Sequence, residues 1–441
     1  MSDHTGYVLG AGIAGLLAAK TLSTKYDKVV ILERDTISLD SPEYRKGVAQ
    51  SMHSHILLKH GLDCIEALVP GFTEAVLANG GIKLDAAKDW AAMFPMGWFL
   101  NYDSGISVIC ASRVLLEHTL RTLVLKDNNI ILIDNASIEE LKLFDDKPPI
   151  VCYRDASNAL IEVKPSCVIN ALGRNARTLQ WLNSSGFGPF KEESISSYLS
   201  YSSRFYENIH FPEGVKACVI FAKDPDFPNG GIIYPIEEGK FLMTLYGLGD
   251  NAPPDNEEGF VNFAKGLRSD LLFKAISDAT PVSPIKCFIK KENTFTHYGA
   301  GKHWPYGFLV LGDALCSPNP VYGQGITAAA IAAKLLKENV NFDQNLIQYQ
   351  KKITKGYAIT WLNAKNEDLR WPSTESSSGT NVVVKLLHRF MNRVLYASSV
   401  DRDVNYAFIK VLHMIASPTI LFQPKILFKI FKHSPNDNSS K

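Results

Sequence analysis

The sequence lacks most of the features that would fix its class at once. Its seven cysteines (Cys64, Cys110, Cys152, Cys167, Cys218, Cys287 and Cys316) are odd in number and scattered, and no two form a CxxC pair. That argues against a disulfide framework and a cysteine zinc site, and predicts a reduced, cytoplasmic protein. No apolar run reaches the roughly 18 residues that span a bilayer, and no charged n-region leads into an apolar h-region, so no secretory signal is expected. Neither sign of charge dominates. Lysine plus arginine number 46 against 45 for aspartate plus glutamate, which leaves no global field to recruit nucleic acid. There are no internal repeats, and the one polar low-complexity stretch, STESSSGTN at 373–381, reads as a loop.

What is present is length and pattern. The 441 residues exceed the ~250–300 at which a single core stops growing, so more than one domain is expected. The segment YVLGAGIAGLLAAK (7–20) reads as a strand, a glycine turn and a helix through about Leu22, followed by a second strand, KVVILER (28–34). Gly10, Gly12 and Gly15 carry the dinucleotide spacing. The first permits the tight turn, the second lets backbone N–H groups approach a pyrophosphate, and the third lets helix and strand pack closely. Glu33 lies 18 residues beyond Gly15, at the end of the second strand, where a carboxylate binds ribose hydroxyls and disfavours a 2′-phosphate. Arg34 beside it works the other way.

A second signal lies almost 300 residues later, in FLVLGDALCSPNPVYGQGITAAAIAAKLL (308–336). A strand ends at Gly312-Asp313, a proline-rich loop follows, and Gly323-Gln324-Gly325 opens an alanine-rich helix. Asp313 can accept hydrogen bonds from a ribityl chain, and the helix N-terminus offers its positive dipole end to a flavin pyrimidine ring. Taken alone, the same residues also read as an ordinary aspartate cap and loop. Further buried strands are read at SVICAS (107–112), IILI (130–133) and CVINAL (167–172). Alternating runs at 217–222, 230–236 and 240–248 predict an antiparallel sheet beside the parallel one, and the chain beyond Ile326 reads mostly as helices.

These segments, with RKGVAQSMHSHILLKHGLDCIEALVPG (45–71), GRNARTLQWL (173–182) and YPIEEGKFLMTLYGLGDNAPPDNEEGFVNFAK (234–265), resemble the FAD-dependent monooxygenases of the para-hydroxybenzoate hydroxylase fold. They are most similar to the bacterial branch that includes the polyether epoxidases acting on polyene precursors of lasalocid and monensin. The resemblance runs over roughly residues 5 to 340 and is loose beyond. It implies an α/β, doubly wound FAD-binding domain of glutathione-reductase type, built from 1–90, 105–185 and 300–340. An antiparallel-sheet substrate domain (91–104 and 186–299) is inserted in it, and a helical region (341–441) follows. It assigns Gly10, Gly12, Ala14, Gly15, Glu33 and Arg34 to the ADP half of FAD. Arg45, Gln50 and Arg113 fall to the ribityl-phosphate region, and Gly312, Asp313, Pro320, Gly323, Gly325 and Ile326 to the ribityl and isoalloxazine side. Arginine suits the phosphate role because its rigid fork matches phosphate oxygens. Phe94, Trp98, Tyr234 and Pro320 are assigned to the substrate pocket.

The activity so implied inserts one oxygen atom of O₂, through a flavin C4a-hydroperoxide, into an apolar polyene, polyketide or terpenoid. The electrons come from NAD(P)H or from a separate flavin reductase partner. The flavin carries the chemistry, and no general acid or base is named. Alternatives sharing the scaffold are an FAD-dependent reductase of prenyl double bonds and a non-catalytic flavin- or lipid-binding protein. A halogenase is disfavoured because the WxWxIP signature is absent. There is one departure from the family pattern: Asn170 stands where an aspartate is common and Ala176 where serine is usual, which puts direct NAD(P)H use in doubt. His53 and His55 lack further ligands at metal spacing, so no metal is expected, and their role is read as packing and hydrogen bonding near the flavin. The tail TILFQPKILFKIFKH (419–433) carries Lys425, Lys429 and Lys432 beside an apolar helical face, suited to a membrane surface or to the protein's own core.

Overall fold

The computed structural model describes residues 4–174, 176–301, 303–337, 344–376 and 382–433. A five-stranded parallel sheet runs in the order Phe308–Val310, Cys167–Asn170, Thr5–Leu9, Lys28–Leu32, Ile130–Ile133. The burial is nearly complete in the central strands, which lie inside the main core between helices and other elements, and this is why they read in sequence as unbroken apolar runs. Leu9 pairs with Leu32 and with Asn170, and Asn170 pairs with Val310, so these four strands end level with one another. The glycine turn, Glu33 and Gly312 therefore all leave the sheet along one edge, where ligands of open α/β sheets bind.

The helix Ile13–Leu22 packs against Gly325–Lys337, with Thr21 Oγ1 donating to the Ala333 carbonyl at 3.2 Å. Helix Lys59–Leu68 meets the same helix at Gly61, where a Cβ would press on Thr327. The long helix Ile347–Asp368, which sequence reasoning assigned to the C-terminal region, joins this main core through Ile353, Tyr357 and Trp361. The strand Ser107–Cys110 forms as expected but pairs with Ile82–Asp85, outside the parallel sheet. A three-stranded antiparallel sheet over Ser137–Lys142, Ile150–Arg154 and Leu160–Val163 was not read from the sequence.

The second large sheet is mainly antiparallel. It is centred on Leu199–Glu207, Phe241–Gly247, Asn229–Pro235 and Ala217–Ile220, and Trp90–Phe94 joins it parallel to Ala217–Ile220. Period-two alternation divides its faces. Cys218, Ile220, Ile233, Met243 and Leu245 turn to helices Glu257–Lys265 and Leu271–Ser277. The opposite face carries Tyr201, Ser203, Ile232, Thr244 and Tyr246. Of the polar stretch 373–381, Glu375–Ser376 pairs with Ile195–Ser196, and 377–381 lie outside the described residues.

Candidate functional site

Three glycines in the first turn do three different things. Gly10 sits at φ +99°, and a Cβ there would lie 2.6 Å from the Ala171 carbonyl oxygen, so only glycine fits. At Gly15 a Cβ would overlap the Gly10 carbonyl oxygen, which lets the helix lie on its own turn. Gly12 caps the helix in an extended conformation, with no atom within 4 Å of where its Cβ would be. The open space beside Gly12 lies at the N-terminus of Ile13–Leu22, whose first turn has no acidic residue. Free N–H groups and the helix dipole favour an anion there.

Glu33, buried at the end of the next strand, accepts the Ala11 N–H through Oε2 at 2.8 Å and pairs with Arg45 Nη1 at 3.0 Å. Arg45 also pairs with Asp35 at 3.4 Å and with Glu117 at 2.5 Å. Glu117 in turn gathers Arg113 at 2.8 Å and Arg121 at 3.5 Å, each one helical turn away on Arg113–Val124. Burial opposes the Glu117 charge, but Arg113 and then Arg45 outweigh it and hold its carboxyl below the usual range. Burial likewise opposes the Arg45 charge, and Glu117 and Glu33 more than offset it, so its pKa is raised. Arg113 Nη1 and Arg121 Nε are buried without a hydrogen-bond partner among the described residues. Such charged donors cost more than ~1–3 kcal/mol when left unsatisfied, and an anionic ligand would relieve them. Arg34 points outward beside Asp35, and Gln50 is half-buried in the 3-10 segment Lys46–Met52.

On the other side, Gly312 sits at φ +65°, and a Cβ there would come within 2.9 Å of the Ala14 Cβ. This close approach joins the two glycine-rich segments. The Gly312 N–H donates to the Tyr357 hydroxyl at 3.0 Å. The Asp313 side chain is accessible to solvent yet walled by protein, in a cleft of about 210 Å³ that it lines with Arg174, Glu192, Thr296 and Tyr298. The surrounding protein raises its pKa, against the pull of Lys290, Arg113 and Arg174. Pro320, exposed, begins the short 3-10 turn Pro320–Tyr322, which Asn319 caps by accepting the Val321 N–H at 3.0 Å. Gly323 follows at φ +65°. Gly325 opens its helix with no atom within 4 Å of a Cβ, so it repeats the open-faced glycine of Gly12. Ala14 and Ile326 are half-buried alongside.

A polar network absent from the sequence reading stiffens this loop. Asp368 is fully buried and accepts from Asn319 Nδ2 at 2.6 Å, Asn293 Nδ2 at 2.9 Å and the Tyr322 hydroxyl at 3.1 Å. Burial pushes its carboxyl up to about 7. Lys290 donates to the Ser317 and Pro318 carbonyls at 3.1 and 2.7 Å, and burial lowers its amine to about 8. Asn170 is fully buried as well. Its amide donates to Thr178 Oγ1 at 2.9 Å and its oxygen accepts the Leu172 N–H at 3.1 Å, so it holds the strand end and presents no surface.

The segment from His53 to His55 ties this edge to the second sheet. His53 Nδ1 bonds Ser203 Oγ at 2.8 Å, Ser203 bonds Thr244 at 2.6 Å, and Ser54 N–H donates to Thr244 at 3.0 Å. Burial lowers His53 to about 4 and His55 to about 3, which keeps both neutral at ordinary pH. Tyr234 is fully buried, and its hydroxyl accepts the His55 N–H at 2.9 Å. Phe94 stacks on Phe99 at 3.9 Å and meets Phe221 and Phe408, whereas Trp98 is 38% exposed. Glu117 was readable as the residue one turn after Arg113. Ser203, Thr244, Lys290 and Asp368 were not, because strand register and chain crossing bring them in.

No family profile matches the chain. It is 27% identical over 350 residues to Protein Rv3254 of Mycobacterium tuberculosis (strain ATCC 25618 / H37Rv), covering 76% of this chain and 72% of that protein. Among solved structures it is similar to a flavoprotein/dehydrogenase from Cytophaga hutchinsonii, with a TM-score of 0.65, 15% identity and coverage of 95% and 94%. The flavin-dependent brominase Bmp2 matches with a TM-score of 0.64, 14% identity and coverage of 94% of each chain. The architecture is therefore the FAD-binding flavoprotein fold, with its parallel sheet and a helical C-terminal part.

Proposed function

We propose that this chain is an FAD-dependent monooxygenase that transfers one oxygen atom of O₂ to a large apolar substrate by epoxidation or hydroxylation. The observation that carries the proposal is the convergence on one sheet edge of two open-faced glycines at helix N-termini, a buried arginine cluster and the accessible carboxylate of Asp313. Those residues fit FAD. The turn at Gly12 and the donors of Arg45 and Arg113 suit its pyrophosphate, Glu33 its ribose, Asp313 its ribityl hydroxyls and the helix start at Gly325 its pyrimidine edge. When bound, FAD supplies the electron transfer and oxygen activation.

The chain's own part is binding, geometry and dryness. The neutral His53, held by Ser203, adds no charge where an apolar molecule would sit. Ile232 lies on the same sheet face as Ser203 and Thr244, and Phe94, Phe99 and Phe221 form an aromatic wall packed under the C-terminal helices. Oxygen transfer balances as substrate, O₂, two electrons and two protons giving oxygenated substrate and water. Because Asn170 is enclosed, the electrons are proposed to come from a separate flavin reductase rather than from direct NAD(P)H binding.

The decisive assay supplies reduced FAD and ¹⁸O₂ with a panel of polyenes, prenyl chains and phenols, with and without bromide, and reads products by mass spectrometry. One labelled oxygen in a polyene or prenyl product is expected. Saturation of a double bond without label would make the chain a reductase, and a brominated product would make it a halogenase.

A further inference from the structure

Two helices of the C-terminal part satisfy their cores and still leave large apolar side chains outside. In Pro424–Lys432, Ile426 and Ile430 are buried, while Phe428 and Phe431 are 69% and 53% exposed. In Val382–Val400 the buried positions begin only at Val394, and Val382, Val383 and Leu386 are 73%, 71% and 56% exposed. The two helices form one surface. Phe390 stacks on Phe422 at 4.9 Å, and the Arg393 guanidinium lies 5.3 Å over the Phe431 ring.

The charge on these two segments has one sign. Segments 382–393 and 419–433 contain Lys385, Arg389, Arg393, Lys425, Lys429 and Lys432 and no aspartate or glutamate, in a chain whose charges balance as a whole. Lys425 and Lys429 pair with Asp401 and Asp403 at the neighbouring helix, whereas Arg393 lies over the exposed Phe431 and Lys385, Arg389 and Lys432 form no ion pair among the described residues. Exposed phenylalanine interleaved with cations matches the boundary of an anionic bilayer, where rings enter the acyl layer and cations meet headgroups. No helix among the described residues is long and apolar enough to cross a membrane, so the contact would be in-plane.

We infer that this face docks the protein on an anionic lipid surface. Its inner side, through Phe390, Val394 and Ile430, packs into the same cluster as Phe94, Phe99 and Phe221. Lipid docking would thus bring a bilayer-dissolved molecule next to the aromatic wall of the substrate region. The docking itself does not depend on the catalytic proposal.

The test is co-sedimentation of the full chain with phosphatidylcholine vesicles with and without phosphatidylglycerol. Binding to the phosphatidylglycerol vesicles is expected, weakened by salt and by about tenfold or more in Phe428→Ser/Phe431→Ser. Lys385→Glu/Arg389→Glu should remove the preference for the anionic vesicles while the melting temperature of the protein stays unchanged. Absence of binding to either vesicle, or binding that neither variant alters, overturns the inference. So does a dimer in sedimentation velocity that Phe428→Ser/Phe431→Ser dissociates, because the face would then be covered by a second copy.

Discussion

Gly12 and Gly15 stand three residues apart, and replacing each should fail in a different way. At Gly12 the backbone (φ −74°, ψ 177°) is open to any L-residue, a Cβ meets nothing within 4 Å, and no side-chain cap is lost. Gly12→Val should therefore change the stability of the ligand-free protein by only about 0.5 kcal/mol. Its two methyl groups would, however, fill the space at the helix N-terminus that the pyrophosphate needs. Losing one or two charge-assisted N–H bonds at ~1.5–3 kcal/mol each, plus a dipole contribution of ~0.3–1 kcal/mol, removes about 2–7 kcal/mol of FAD binding, or roughly 30- to 10⁵-fold in affinity. Gly15→Ala works the other way round. Its Cβ overlaps the Gly10 carbonyl, which cannot retreat easily because Gly10 is itself held at φ +99° against Ala171. Overpacking of this kind costs ~1–3 kcal/mol or more, so the melting temperature should fall without FAD. Flavin fluorescence titration of the apo-protein and ligand-free thermal unfolding read the two effects separately. If Gly12→Val bound FAD within a few-fold of the parent, the assignment of this turn to the pyrophosphate would be wrong. An unchanged ligand-free melt in Gly15→Ala would refute the packing argument.

Asp313→Ala should lower FAD affinity while leaving ligand-free stability unchanged or raised, because the surroundings of Asp313 disfavour its charge; equal loss of stability with and without FAD, at normal affinity, would make it a structural cap. His53 and His413 are both lowered to about 4 by burial, so the unfolded chain, at ~6.5, binds more protons between these values, and stability is lost as pH falls through that window. At pH 5 each should cost ~2 kcal/mol, and urea unfolding between pH 7 and 5 that showed no decline would contradict their neutral burial. Stopped-flow mixing with NADPH alone should reduce the bound flavin slowly, given the enclosure of Asn170, and rapid reduction without a reductase would show that inference wrong.

The parts of this molecule that could be read from the sequence are those whose neighbours in space are neighbours in the chain. The unit Thr5–Leu9, Ile13–Leu22, Lys28–Leu32 was legible nearly to the residue, because helix period, apolar strand runs and glycine turns are local signals. Gly312 and Asp313 were found for the same reason: a short apolar strand ends on them. The run at Ser107–Cys110 shows the limit, since an apolar stretch announces a strand without naming its partner. Ser137–Lys142 escaped notice because its charged, half-exposed residues carry no buried-strand pattern. In the site, the arginine cluster was half legible. Arg45 and Arg113 were assigned by resemblance, but Glu117, which organises them, has no signal in the sequence beyond its place one turn after Arg113. Lys290 and Asp368 reach the Ser317–Tyr322 loop from segments that only the finished fold brings beside it.

The strand order of the parallel sheet also bears on how the chain is made. Thr5–Leu9 sits at the centre of the sheet, but Phe308–Val310, which closes one edge, is synthesised some three hundred residues after it. Until it arrives, Cys167–Asn170 is an apolar edge with unpaired N–H and C=O groups, the kind of surface that recruits foreign strands. The helix that holds the Gly312 turn through Tyr357 comes later still. Sheet closure must therefore wait for some three hundred residues beyond the first strand, and pairings of such long sequence separation form slowly. A nascent or truncated chain ending near residue 300 would carry that open edge, making it a natural client for chaperones and the first form expected to aggregate.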